Sequence, residues 1–71
     1  MLTLKEAQQI LFALPRPRDP WLPITQKDQD GYTFTVENAD GYTLYDILVG
    51  DKVVYSQDQD GAEQVTRTAF K

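Results

Sequence analysis

The sequence predicts an α+β domain in which one N-terminal helix packs on a small antiparallel β-meander of three to four strands. Three observations carry this reading. An apolar stripe of helical spacing follows a capping box near the N-terminus, a proline-rich break covers residues 15–23, and alternating residues punctuated by Asp-Gly and Gly-Asp turns run from about residue 25 to 70. The 71 residues are read as a single domain spanning 1–71, because a chain this short buries only ~60% of its unfolded surface and supports one modest core.

The helix is predicted over about 4–13. Thr3 and Glu6 have capping-box spacing: the Thr hydroxyl accepts the Glu6 N–H while the Glu carboxylate accepts the Thr3 N–H. Leu2 is placed to staple onto Ala7, and Leu4, Ala7, Ile10, Leu11 and Leu14 form one apolar stripe, with Lys5, Gln8 and Gln9 facing away and Phe12 off the stripe. Pro15 ends the helix, since the residue before a proline is driven out of the helical region.

Residues 15–23, Pro-Arg-Pro-Arg-Asp-Pro-Trp-Leu-Pro, form a stiff extended connector with the only Trp of the chain. Its PxxP spacings, Pro17 to Pro20 and Pro20 to Pro23, invite comparison with ligands of SH3 domains, but neither has a basic residue where those ligands carry one. The connector is therefore expected to lay Trp21 and Leu22 on the core as a lid.

Tyr32, Phe34 and Val36 alternate with Thr33, Thr35 and Glu37, as a strand with one buried face requires. Asn38-Ala39-Asp40-Gly41 turns the chain into a second strand, Tyr42 to Val49, whose apolar residues on both faces make it central. Gly50-Asp51 forms a tight hairpin into a third strand, Lys52 to Gln57. Thr25 to Lys27 extends a short edge strand before the first turn. At the C-terminus Asp60 and Glu63 have the spacing of a helix start, yet Val65, Thr66, Thr68 and Phe70 favour a strand, which is the expectation here.

Composition narrows the chemistry. With no Cys and no His, the chain has no disulfide, no thiolate zinc site and none of the commonest acid–base or nucleophilic side chains. Ser56, the only serine, lies in a strand-like run without flanking glycines. No enzyme activity, cofactor or metal is expected. The longest apolar stretch, Ile10 to Leu14, follows no basic leader, so the chain reads as a cytoplasmic protein without a membrane partner.

The recurrent feature is an acidic turn: Asp28-Gln29-Asp30-Gly31, Asn38-Ala39-Asp40-Gly41 and Asp58-Gln59-Asp60-Gly61. D-x-D-G is also the middle of an EF-hand loop. With Gly31 in the sixth position of such a loop, Asp28, Asp30 and Glu37 take ligand positions but Gln26 stands first; with Gly61 there, Ser56 stands first and Arg67 twelfth. Turn chemistry accounts for the pattern, and divalent-cation binding stays as a second alternative. Residues 28–66 carry nine acids against Lys52 alone, a balance of −8, whereas residues 1–27 carry +2.

That segregation disfavours direct binding of nucleic acid and suits a partner protein with a basic surface. The expected function is a small acidic binding domain that acts as a stoichiometric inhibitor or adaptor. A sharper variant is a nucleic-acid mimic of the type mobile elements use as inhibitors. The alternative is a structural or accessory subunit, or a self-associating domain. The candidate partner-binding residues are Asp28, Asp30, Asp40, Asp58 and Asp60 in the turns, with Tyr32 and Tyr42 as aromatic anchors. From Leu2 to Gln57 the order of a helix and then a meander with Asp-Gly turns resembles in outline the PepSY-type domain, a resemblance that implies a helix-plus-sheet fold and assigns no residue a function.

Overall fold

A computed structural model of the chain describes residues 1–39 and 41–71. Helix α1 (Leu4–Ala13) precedes five strands, β1 (Ile24–Gln29), β2 (Tyr32–Ala39), β3 (Tyr42–Val49), β4 (Lys52–Gln57) and β5 (Glu63–Val65), and a 3₁₀ turn at Arg67–Ala69. The strands form one antiparallel sheet in the order β1-β2-β3-β4-β5, a simple meander.

The helix forms as its sequence directs, except that Gln8, expected to face away, is half-buried with its amide turned to Tyr55 and Glu63. Glu6 N–H donates to Thr3 Oγ1 at 3.1 Å and Thr3 N–H donates to Glu6 Oε1 at 2.9 Å, while Leu14 is extended ahead of Pro15 and closes the last turn. Ala7 and Leu11 are fully buried against β2 and β3, and Leu2, Leu4, Ile10 and Leu14 line the margins of the same contact. Phe12 rests edge-on against Tyr45, with ring centroids 5.0 Å apart.

The sheet has five strands, more than the three to four its sequence predicts, because both edges are strands. Strand β1 has little apolar alternation to announce it; its register with β2 and the turn joining them hold it in place. That turn has Asp30 at φ 54° and Gly31 at φ 85°, the paired positive values of a two-residue type I′ hairpin. Strand β5 stops at Val65, short of the predicted extent to residue 70. Thr66 N–H donates to Val54 O at 2.8 Å, and the 3₁₀ turn then swings Phe70 into the core, where it stacks on Tyr32 at 5.5 Å.

Strand β4 carries a bulge. Tyr55 pairs with Ile47 and Val53 with Leu48, which leaves Val54 as an extra residue. Two consecutive side chains, Val54 and Tyr55, therefore point into the core, at 3% and 0% exposure. Phe34, Val36, Ile47 and Tyr55 with Ala7 and Leu11 form its centre.

The connector does not form the predicted lid. Trp21 is 88% and Leu22 69% exposed. Trp21 N–H donates to Asp19 Oδ1 at 2.9 Å and Leu22 N–H to Asp19 O at 3.1 Å, so the Asp19 turn directs the backbone outward before the apolar side chains reach the core. The connector is fastened instead by Asn38, whose side-chain amide donates to Pro17 O and whose backbone N–H donates to Pro23 O at 2.9 Å. Phe70, from the opposite end of the chain, supplies the aromatic that the core takes in.

Candidate protein-binding face

Residues directly opposite each other in an antiparallel ladder share a face, so the register assigns every strand side chain to one of two surfaces. Under the helix lie Tyr32, Phe34 and Val36 of β2, Tyr45 and Ile47 of β3 and Tyr55 of β4. Lys27 pairs with Phe34, and Lys52 with Val49, so both strand lysines fall on this covered side.

Among the described residues no helix covers the opposite face, which is built in transverse rows. One row runs Ile24, Glu37, Leu44. The next crosses all five strands as Gln26, Thr35, Asp46, Ser56 and Gln64. A third runs Asp28, Thr33, Leu48, Val53, with Thr33 Oγ1 donating to Asp28 Oδ1 at 2.8 Å. Asp28, Glu37 and Asp46 are acidic, and no Lys or Arg occurs among the strand residues of this face. Ile24 and Val53 are exposed, and Leu44 and Leu48 half-buried. The result is a mixed apolar and acidic surface free of strand cations, on the side of the sheet away from the helix.

The sequence-predicted site residues do not come together. Asp28 belongs to the uncovered face. Asp30 lies in the β1–β2 turn, at the same end of the sheet as Asp51, whereas Asp58 and Asp60 lie in the β4–β5 loop at the other end. Asp40 falls outside the described residues. Tyr32 is 2% exposed and its hydroxyl donates to Ala69 O at 2.7 Å, so it is a core residue and not an aromatic anchor. Tyr42 opens β3, is half-buried and, two positions before Leu44, shares the uncovered face with Asp28, though at the opposite end of it.

The two identical Asp-Gln-Asp-Gly segments take different shapes. In the first, Asp30 and Gly31 alone make the turn. In the second, Gly61 N–H donates to Asp58 O at 3.0 Å, and Asp58 Oδ1 accepts the N–H groups of Asp60 at 2.9 Å and Ala62 at 3.0 Å. The Asp58 carboxylate is thus committed to its own loop. Among the described residues, no group of three or more acidic, His or Cys side chains is placed to hold a metal ion, and no helix is long and apolar enough to cross a membrane.

Tyr55 is likewise structural. Its hydroxyl donates to Glu63 Oε2, and Gln8 Nε2 donates to the Tyr55 and Glu63 oxygens at 3.4 Å each. Burial, and then the hydrogen bond that the Glu63 carboxylate accepts, push the Tyr55 phenol above its ordinary range.

Glu37, Asp46, Thr35, Ser56, Leu44 and Leu48 are the residues that reading the turns alone overlooks. Their juxtaposition comes from the antiparallel register of β2 and β3, which pairs Thr35 with Asp46 and Glu37 with Leu44. No family model matches this sequence, and no curated protein or solved structure is significantly similar to it.

Proposed function

We propose that this chain is a small acidic protein-binding domain that lays the uncovered face of its sheet on a basic surface of another protein, as a stoichiometric inhibitor or adaptor, and that it acts by binding and not by catalysis. The observation that carries the reading is the distribution of charge. Asp28, Glu37 and Asp46 share one face with Leu44, Leu48, Ile24 and Val53, while Lys27 and Lys52 turn to the other side. Such a face attracts a basic surface at long range and offers apolar area at contact. The same carboxylates repel phosphate, so nucleic acid is a competitor for the partner and not itself the ligand. A partner whose basic surface ordinarily holds DNA or RNA makes the domain a nucleic-acid mimic.

The test is affinity capture from host extract with three forms of the chain: the natural one, a face variant (Asp28→Asn, Glu37→Gln, Asp46→Asn) and a turn variant (Asp30→Asn, Asp51→Asn, Asp60→Asn). Retention of a basic protein at low salt that is lost at high salt, and lost in the face variant alone, supports the reading. Capture that is insensitive to salt, or equal for both variants, overturns it.

The second reading, an accessory or self-associating subunit, draws on the exposure of Trp21 and Leu22, 88% and 69%, since adjacent large apolar side chains in water commonly mark a contact. A melting temperature that rises with protein concentration favours this reading.

A further inference from the structure

We propose that Asp46 is the seat of an arginine side chain of the partner, with Thr35 and Ser56 as flanking acceptors and Leu44 and Leu48 as its apolar walls. This rests on the uncovered face being the docking surface, and it names the chemistry recognised there.

Strand β3 is the middle of the five strands, and Asp46 lies near its midpoint, so its carboxylate occupies the centre of the face. Thr35 on β2 and Ser56 on β4 are its direct cross-strand partners, with Cβ atoms ~4.5–5.5 Å away as such pairs are. Gln26 and Gln64 prolong the row to both edges. Leu44 and Leu48 lie two positions along β3 on either side and so share its face, ~7 Å from Asp46 at the strand's rise per residue. Asp46 is half-buried, and none of these neighbours is cationic. One carboxylate is thereby set between two hydroxyls across the strands and two aliphatic side chains along its own strand.

The arrangement complements a guanidinium better than an ammonium. Arginine presents five N–H donors in a planar fork; two engage the carboxylate in parallel and the others face the flanking hydroxyls of Thr35 and Ser56. Its weakly hydrated plane and methylene stem suit the aliphatic walls, whereas a lysine ammonium is strongly hydrated and makes a point contact that leaves the row unused.

The probes are oligo-arginine and oligo-lysine peptides of equal length and charge, titrated at low salt into the full ¹⁵N-labelled chain. Oligo-arginine is expected to bind more tightly and to shift the amide resonances of Thr35, Asp46 and Ser56. Asp46→Asn is expected to weaken oligo-arginine binding about tenfold and to bring the two peptides close to parity. Thr35→Val, which keeps the carboxylate and suits a strand, is expected to weaken oligo-arginine and leave oligo-lysine unchanged, and it serves if Asp46→Asn does not fold. Equal binding of the two peptides, with shifts at Thr35, Asp46 and Ser56, overturns the arginine assignment while leaving the uncovered face as the docking surface; shifts confined to Asp30 and Asp51 or to Asp58 and Asp60 overturn both. Failure of both peptides to bind overturns the acidic-surface reading as well.

Discussion

The hydroxyl of Tyr55 donates to the carboxylate of Glu63 across the β4–β5 hairpin, joining a fully buried ring to an exposed acid on the last strand. Gln8 of the helix approaches both oxygens, so helix, fourth strand and fifth strand meet at one polar point. Strand β5 is only three residues long, and this contact and the Thr66–Val54 bond add to its short ladder with β4.

The alkaline limit of stability follows from that contact. The folded phenol of Tyr55 titrates above its ordinary value of about 10, so folding favours the protonated form. Its contribution is complete below the unfolded value and is lost as pH rises through the folded one. Melting temperatures between pH 8 and about 11.5 should fall more steeply for the natural chain than for Tyr55→Phe. At pH 7 the variant is expected to lie within about 1.5 kcal/mol of the natural protein. Identical alkaline slopes contradict the assignment.

The acid limb has the opposite sign. The Thr3 backbone hydrogen bond, followed by that of the Thr3 hydroxyl, holds Glu6 below the ordinary carboxylate range; its contribution is present above the unfolded value and is lost as pH falls through the folded one. Thr3→Ala is expected to destabilise the fold by about 1 kcal/mol. Glu6→Gln should flatten the loss of stability on acidification, as followed by circular dichroism.

Trp21 offers a direct check on the outward turn of the connector. It is the only tryptophan, so intrinsic fluorescence reports on this side chain alone. Solvent-like emission and free quenching by acrylamide are expected in the isolated protein. Trp21→Ala should leave stability within about 0.5 kcal/mol, as surface substitutions do. Blue-shifted, protected emission in a dilute monomer would show the ring lying on the core.

The identical acidic segments should respond differently to the same substitution. Asp58→Ala removes an acceptor of two backbone N–H groups and is expected to cost about 1 kcal/mol. Asp28→Ala removes one exposed side-chain bond to Thr33, with an expected effect within about 0.5 kcal/mol. Denaturant midpoints compare the two, and equal losses contradict the distinct loop structures.

In the core, Phe34→Ala should cost about 3–5 kcal/mol. A domain of this size has only ~3–5 kcal/mol in hand, so the variant is expected to be largely unfolded at 25 °C by circular dichroism. Ile47→Val, at about 0.5–1.5 kcal/mol, should remain folded with a lowered midpoint.

Much of this architecture was legible in the order of residues because its causes are local. The capping box from Thr3 to Glu6, the break at Pro15, the alternation from Tyr32 to Val36 and the Gly50-Asp51 turn each act within a few residues, and each formed as its sequence predicts. The central place of Tyr42–Val49 followed from apolar residues on both faces. Edge strand β1 and the short β5 were less legible, since an edge strand has fewer apolar positions and owes its form to a neighbour's register.

What only the tertiary structure decided depends on contacts between distant parts of the chain. The sequence established by itself that the acids are concentrated after residue 27, but not which of them share a surface. A meander sends successive turns to opposite ends, so Asp30 in the first turn and Asp60 in the fourth separate although their segments are identical. Strand pairing gathers Asp28, Glu37 and Asp46 on one face, and the bulge at Val54 aligns Ser56 with Asp46, which counting from the Gly50-Asp51 turn would have missed by one residue. The burial of Phe70 in place of Trp21 was likewise settled at long range, by the bonds that hold Arg67–Ala69 over the core and those that fasten the connector at Asn38. Local propensity sets where the chain bends; register and competition for a small core determine which side chains are left facing water.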